Sequence, residues 1–187
     1  MEKILIAFDC FGVVLKRFSK ELSTKYNLSD KFDEMIEAFD KADRNIITHS
    51  ECMMILESIT GINHKLIEEE FINLSLPIDD MINFISENKD KYHIVMISNA
   101  TSFLNTIIDH YNIRHLFEKI YISSECNLYK PNESFYEYVL SEYKPIKAIM
   151  VDDKLENIIG AKNASMYGIL YSNHNEFLKE IEEILVL

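Results

Sequence analysis

The chain has 187 residues, 48% of them hydrophobic and 27% charged, and carries a formal net charge of −12. This is the composition of a globular protein with enough chain for one good core, or for a core domain carrying a modest insertion. The acidic balance argues against general binding of nucleic acid or of anionic membranes, because the mean field repels phosphate, so a phosphate-bearing ligand needs a local cation.

The first element is the stretch Ile4-Leu5-Ile6-Ala7-Phe8-Asp9-Cys10-Phe11-Gly12-Val13-Val14-Leu15, an apolar run broken by one carboxylate. Such a run predicts a strand buried on both faces, as in parallel sheets. Asp9 falls at its carboxyl end, where open α/β sheets bind ligands, and Gly12 allows a tight turn just beyond. A helix N-cap or a turn aspartate is the alternative reading of Asp9.

From about Lys16 to Leu76 the chain reads as helix. Phe32, Met35, Ile36 and Phe39 recur at amphipathic spacing. Thr48-His49-Ser50-Glu51 matches a capping box that opens a helix through Met53, Leu56 and Ile59, and Gly61 stops it. Asn63 caps the next helix, with Ile67, Phe71 and Leu74 on one side. Nothing here alternates like a strand, so residues 16–76 are expected to form a small helical insertion, with residues 1–15 and 77–187 making the core domain.

From Pro77 onward helix and strand alternate. Met81, Ile82 and Ile85 mark a helix; Tyr92-His93-Ile94-Val95-Met96-Ile97 is a second buried strand, closing on Ser98-Asn99-Ala100-Thr101. Leu104, Ile107, Ile108 and Tyr111 give a helix, Ile120-Tyr121-Ile122 a third strand, and Lys130-Pro131 follows after a loop. Phe135, Tyr138 and Val139 share a helix face, and Ala148-Ile149-Met150-Val151 is a fourth strand ending in Asp152-Asp153. A helix with Ile158, Ile159 and Ala164, a short strand Gly168-Ile169-Leu170-Tyr171 and a final helix from Asn175 complete the chain. Short apolar strands alternating with helices predict an α/β fold, a doubly wound and mostly parallel sheet with helices on both faces.

Parallel strands bring their carboxyl ends to one edge, so Asp9, Ser98-Asn99, Lys130 and Asp152-Asp153 can converge. Three crowded carboxylates repel one another and call for a cation. Oxygen-only ligands without histidine or cysteine favour magnesium, which leaves positions open for phosphate oxygens. Lys130 balances charge from the other side, Ser98 offers a hydroxyl for phosphate oxygens, and Asp9 can act as a carboxylate nucleophile forming an aspartyl-phosphate. Positive charge aimed at a transferring phosphoryl group is most of what such catalysis needs.

Four motifs in this order, Phe8-Asp9-x-x-Gly12-Val13, Ile97-Ser98-Asn99-Ala100, Tyr129-Lys130-Pro131 and Val151-Asp152-Asp153, resemble those of the haloacid-dehalogenase-like hydrolase superfamily. Asn157, Gly160-Ala161-Lys162 and Met166-Tyr167-Gly168 look like the same family, and the helical insertion resembles its small all-helical cap. The resemblance implies a Rossmann-like core, Asp9 as nucleophile, Ser98 and Asn99 as phosphate contacts, and Lys130 as the third-motif lysine. It implies Asp153 as the direct metal ligand, with Asp152 supporting it. The expected ligand is a small phosphorylated molecule, with Mg2+ as cofactor.

One position departs from the pattern. Phosphatases of this family usually carry a second aspartate two positions after the nucleophile, as general acid, and this chain has Phe11. Loss of a positioned acid typically costs about 10²–10⁴-fold. The Phe11 backbone carbonyl keeps its capacity to bind metal, since that contact does not depend on the side chain. Three readings follow: a phosphatase or phosphotransferase, with the acid supplied by cap or substrate or dispensable for good leaving groups; a binder of phosphorylated ligands without appreciable turnover; or a hydrolase of the dehalogenase type. Asp152-Asp153 speaks against the last, because uncompensated aspartates repel a carboxylate substrate.

The remaining candidates have plainer readings. Arg17, Arg44 and Arg114 are the only arginines; Arg44 is either a solvated surface residue or a holder of an anionic group. His49 and His64 could replace the missing acid, but polar residues are common at helix starts. Cys10 reads as a packed residue, Met53, Met54 and Phe71 as cap core, and Glu68-Glu69-Glu70 as a solvated face. Cys10, Cys52 and Cys126 form no CxxC pair, the pattern of a reducing compartment. No apolar run nears the roughly 20 residues of a membrane span, and Asp9 interrupts the stretch a signal peptide would need; the expected location is the cytoplasm.

Overall fold

The computed structural model describes residues 3–186. Strand β1 (Leu5–Phe8) lies at the centre of a five-stranded parallel sheet. Its side chains alternate between two cores: Ile6 and Phe8 join one apolar cluster, Leu5 and Ala7 the other, all inaccessible to solvent. This is why the strand reads as an unbroken apolar run rather than an alternating one.

The chain then leaves the sheet for four helices, α1 (Phe18–Tyr26), α2 (Phe32–Asp43), α3 (His49–Thr60) and α4 (His64–Leu74). They enclose a separate apolar cluster that includes Phe18, Leu22, Met35, Met53, Leu56 and Ile67. The Thr48–Glu51 capping box forms in both directions, Asn63 caps α4 through Lys65 N–H, and Gly61 closes α3. Entry and exit run side by side: Lys16 N–H donates to the Leu76 carbonyl (2.8 Å) and Ile78 N–H to that of Val14 (2.9 Å). A module whose two ends meet can be inserted without disturbing the sheet that carries it.

Two expectations about this module are corrected. Met54 is 62% exposed and takes no part in the cap core. Glu70 is buried rather than solvated, with its carboxylate held by Lys25 Nζ (2.6 and 2.8 Å) and the Tyr26 hydroxyl (2.8 Å), so it ties α4 to α1. A charge run shows composition alone; which member of it faces the neighbouring helix is set by packing.

After the insertion come α5 (Asp79–Asn88), β2 (His93–Ser98), α6 (Leu104–His110), β3 (Lys119–Ile122) and the short α7 (Ser123–Cys126), which the sequence pattern did not suggest. The remainder is α8 (Glu133–Tyr143), β4 (Ala148–Asp152), α9 (Leu155–Asn163), β5 (Tyr167–Leu170) and α10 (His174–Val186). The strand order is β3-β2-β1-β4-β5. Met81, Ile107 and Phe177, on α5, α6 and α10, pack against one face, and Phe135 and Ile158, on α8 and α9, against the other. The architecture is the doubly wound, Rossmann-like α/β sheet with an all-helical insertion that the alternation of elements predicts. No helix among the described residues is long and apolar enough to cross a membrane.

Candidate active site

The register Phe8↔Val151 places the residues that follow β1 and β4 side by side, and Asp9 N–H donates to the Val151 carbonyl (2.8 Å). Asp9 is 7% exposed and Asp152 fully buried. Lys130 Nζ lies between them, 2.8 Å from Asp9 Oδ1 and 2.6 Å from Asp152 Oδ2. The loop carrying Lys130 is held twice. Asn99, just past β2, accepts from Lys130 N–H and donates to its carbonyl, both at 2.8 Å. On the other side Gly160 of α9 packs so close to Pro131 that a Cβ there would collide with the Pro131 carbonyl. Asn99 therefore positions Lys130, and it also lines the cavity above the bridge.

Charge at this bridge is strongly coupled. Burial and the neighbouring Asp152 push the Asp9 carboxyl up to about 6, with Lys130 pulling the other way. Burial alone would favour a neutral Lys130, but Asp152 and Asp9 outweigh it and hold the ammonium firmly charged. Asp152 also accepts from Asn157 Nδ2 (3.0 Å to each oxygen) and from Lys154 N–H (2.9 Å), so both its oxygens are taken. Its geometric role is to anchor Lys130. The same placement keeps it next to Asp9 and Asp153, the supporting position that the motif implied.

Asp153 lies beside the bridge, and one carboxylate oxygen each from Asp9, Asp152 and Asp153 falls within 4.8 Å of the others. Arg17, at the entrance to α1, places Nη2 at 2.6 Å from Asp153 Oδ1, in contact also with Oδ2, and 3.4 Å from the Phe11 carbonyl oxygen. Gly12 makes room: its φ is +98°, and a Cβ there would strike the Asp153 carboxylate. A cation drawn to the Asp153 carboxylate and the Phe11 carbonyl shows that this corner attracts positive charge, and its oxygen-only donors suit a hard divalent ion. Lys130 thus balances Asp9 and Asp152, as expected, and Arg17 adds a counter-charge for Asp153 that the sequence pattern did not suggest.

Over the bridge lies a cavity of about 430 Å³ between the sheet edge and the helical insertion. Asp9, Asn99, Lys130, Lys154 and Asn157 contribute from the core, and Arg17, Asp40, Asp43, Arg44 and His49 from the cap. One wall is aromatic: Phe71 stacks on Phe18 (ring centroids 4.0 Å apart) and meets Phe11 (5.7 Å) and Phe39 (6.0 Å). Phe71 is thus cavity wall as well as cap packing. Ser98, at the end of β2, is fully buried with its hydroxyl unpartnered among the described residues, and it does not line the cavity. Burial pushes the Cys10 thiol well above its ordinary range, in keeping with a packed residue. His49 has Nδ1 3.0 Å from the Thr101 hydroxyl, whereas His64 pairs with Glu57 away from the cavity. Arg44 pairs with Asp40 (3.0 Å) over the Tyr129 ring, and Arg114 with Asp109 (2.7 Å).

Sequence reasoning did not assign roles to Arg17, Asp43 or Lys154. Arg17 left a signal, as one of three arginines in the chain and the first basic position but one after the first motif. Asp43 left none, because its place over Asp9 depends on how α2 is folded back onto the sheet edge.

Fold and site together define a hydrolase-type α/β protein with an aspartate–lysine–aspartate bridge at the sheet's carboxyl edge and a helical cap above it. The chain belongs to the haloacid dehalogenase-like hydrolases, whose family model matches residues 6–170. It is 28% identical to a sesquiterpene phosphatase of Aspergillus oryzae over 95% of this chain and 94% of that protein. Among solved structures it resembles a HAD-like family hydrolase from Porphyromonas gingivalis, with a TM-score of 0.77 and 18% identity over 99% of this chain and 98% of the other. It also resembles a HAD family enzyme of Bacteroides thetaiotaomicron in complex with magnesium and inorganic phosphate, with a TM-score of 0.70 and 18% identity over 92% of this chain and 95% of that one.

Proposed function

We propose that this chain is a magnesium-dependent phosphomonoesterase that acts on a small phosphorylated molecule through an aspartyl-phosphate on Asp9. The observation that carries the reading is the buried Lys130 bridge beneath the cavity: it leaves Asp9 at the cavity floor with a fixed cation beside it. Asp9 attacks phosphorus, and Lys130 offsets the charge that gathers on the phosphoryl oxygens. Asp9, Asp153 and the Phe11 carbonyl would hold the metal. When bound, the ion supplies further positive charge to the same oxygens. The unpartnered Ser98 hydroxyl lies directly before Asn99, Ala100 and Thr101, which line the cavity, and these residues are the proposed phosphate contacts.

The aromatic wall favours an organic phosphate with an apolar body, and the acidic cap residues disfavour a second anionic group. The sesquiterpene phosphatase relative and the neighbour solved with magnesium and phosphate support the phosphoryl reading. The proposed location is the cytoplasm, in keeping with cysteines that are all free.

The test is release of phosphate from a reactive aryl phosphate with magnesium, comparing wild type with Asp9→Asn. Turnover that disappears in Asp9→Asn supports the reading; a wild type that binds phosphate without turnover replaces it with ligand binding. A second reading, hydrolysis of a haloacid without metal, is favoured by one observation: Arg17 neutralises Asp153 and so lowers the repulsion of a carboxylate substrate. Halide release in the presence of a chelator would establish it instead.

A further inference from the structure

Phe11 stands where a proton donor is expected and turns its ring into the aromatic wall, so the leaving group needs another acid. We propose that Asp43, at the last turn of α2 in the cap, is that donor and later the base that activates water. This role rests on the phosphomonoesterase reading above. Asp43 lines the same cavity as Asp9 and Lys130. Its position is tied to the core: the Ser123 hydroxyl donates to the Asp43 carbonyl (2.6 Å) and accepts from Ala100 N–H (3.0 Å), next to the loop that holds Lys130. Asp40, one turn earlier, is paired with Arg44, while no ion pair among the described residues claims Asp43.

The surroundings favour a carboxyl that keeps its proton near neutrality. Burial, helped by Asp40 and Asp9 and opposed by Lys154 and Lys130, raises Asp43 to about 7, and Cys52 of α3 faces it as a neutral thiol. A group titrating near working pH can give a proton in one half-reaction and take one in the other. His49 is less suited, because burial lowers its affinity for a proton despite Glu68, and its Nδ1 faces Thr101.

The steps balance. Asp9 Oδ forms a bond to phosphorus as the ester P–O bond breaks; the leaving oxygen keeps that electron pair and takes the proton of Asp43. Water then attacks phosphorus, Asp43 accepts its proton, and the Asp9–phosphorus bond breaks to return the carboxylate and inorganic phosphate.

The experiment is the dependence of kcat/KM on leaving group, from dinitrophenyl phosphate to simple alkyl phosphates, with magnesium, in wild type and Asp43→Asn. The expected loss in Asp43→Asn is about 10²–10⁴-fold for alkyl esters and less than tenfold for the dinitrophenyl ester, whose leaving group needs no proton. The burst of dinitrophenol also verifies that the variant folds and that Asp9 still reacts. A uniform loss across the series, or none, overturns the role of Asp43 and leaves the phosphomonoesterase reading in place. Absence of turnover by wild type on every ester overturns the reading and the role together.

Discussion

Arg17 Nη2 sits 2.6 Å from Asp153 Oδ1 and 3.4 Å from the Phe11 carbonyl, so the cap's first residues supply a cation to the two core groups suited to a divalent ion. On the proposed function, guanidinium and metal would compete for the same oxygens. In Arg17→Gln the acidic corner loses its counter-charge, and unfolding in chelator should come at lower temperature, by on the order of 1 kcal/mol for this half-buried pair. Added magnesium should then raise the melting temperature of the variant more than that of wild type, because binding stabilises by mass action. Thermal melts with and without magnesium read this directly. An equal or smaller magnesium shift in the variant would show that Arg17 does not compete.

Lys130→Met keeps the length of the side chain and removes the charge between Asp9 and Asp152. Two buried carboxylates would then lose their shared cation, and breaking a buried pair in this way typically costs about 3–5 kcal/mol. The expected result is a lower urea midpoint at unchanged slope, together with loss of phosphate release. Because each carboxylate gains stability by protonation once the lysine is gone, the deficit should shrink as pH falls. A deficit independent of pH would assign it to packing.

Asp43 gives a pH signature in stability as well as in rate. Its folded-state value of about 7 lies above the ordinary 3.8, so between those values the native state holds a proton that the unfolded chain has released. The protonated carboxyl therefore contributes stability below about pH 4, and that contribution is lost as pH rises through 7. Asp43→Asn cannot ionise and should gain on wild type, by about 2–3 kcal/mol, between pH 5 and pH 8. Differential melts of the two proteins at those pH values measure it. The other groups facing Asp43, namely Asp40, Cys52, Asp9, Lys130 and Lys154, are common to both proteins and cancel in the difference except where they couple to it.

The amino-acid order alone determined the sheet and the class of chemistry. Strands buried on both faces must be apolar throughout, so Leu5–Phe8 and Ala148–Asp152 announce themselves, and the polar residues at their ends have to share one edge. The Thr48–Glu51 capping box was equally legible, because its partners are three residues apart and need no tertiary contact. Tertiary structure alone decided how the carboxylates divide their work. Asp152 and Asp153 are neighbours in the chain, yet one is consumed by Lys130, Asn157 and Lys154 while the other pairs with Arg17 from across the cap boundary. Asp43 reaches the cavity for the same reason: α2 is folded back over the sheet edge and fastened there by Ser123, 80 positions away. Local periodicity encodes which face of an element is buried. It does not encode which distant side chain meets that face, and there the balance of charge over Asp9 is set.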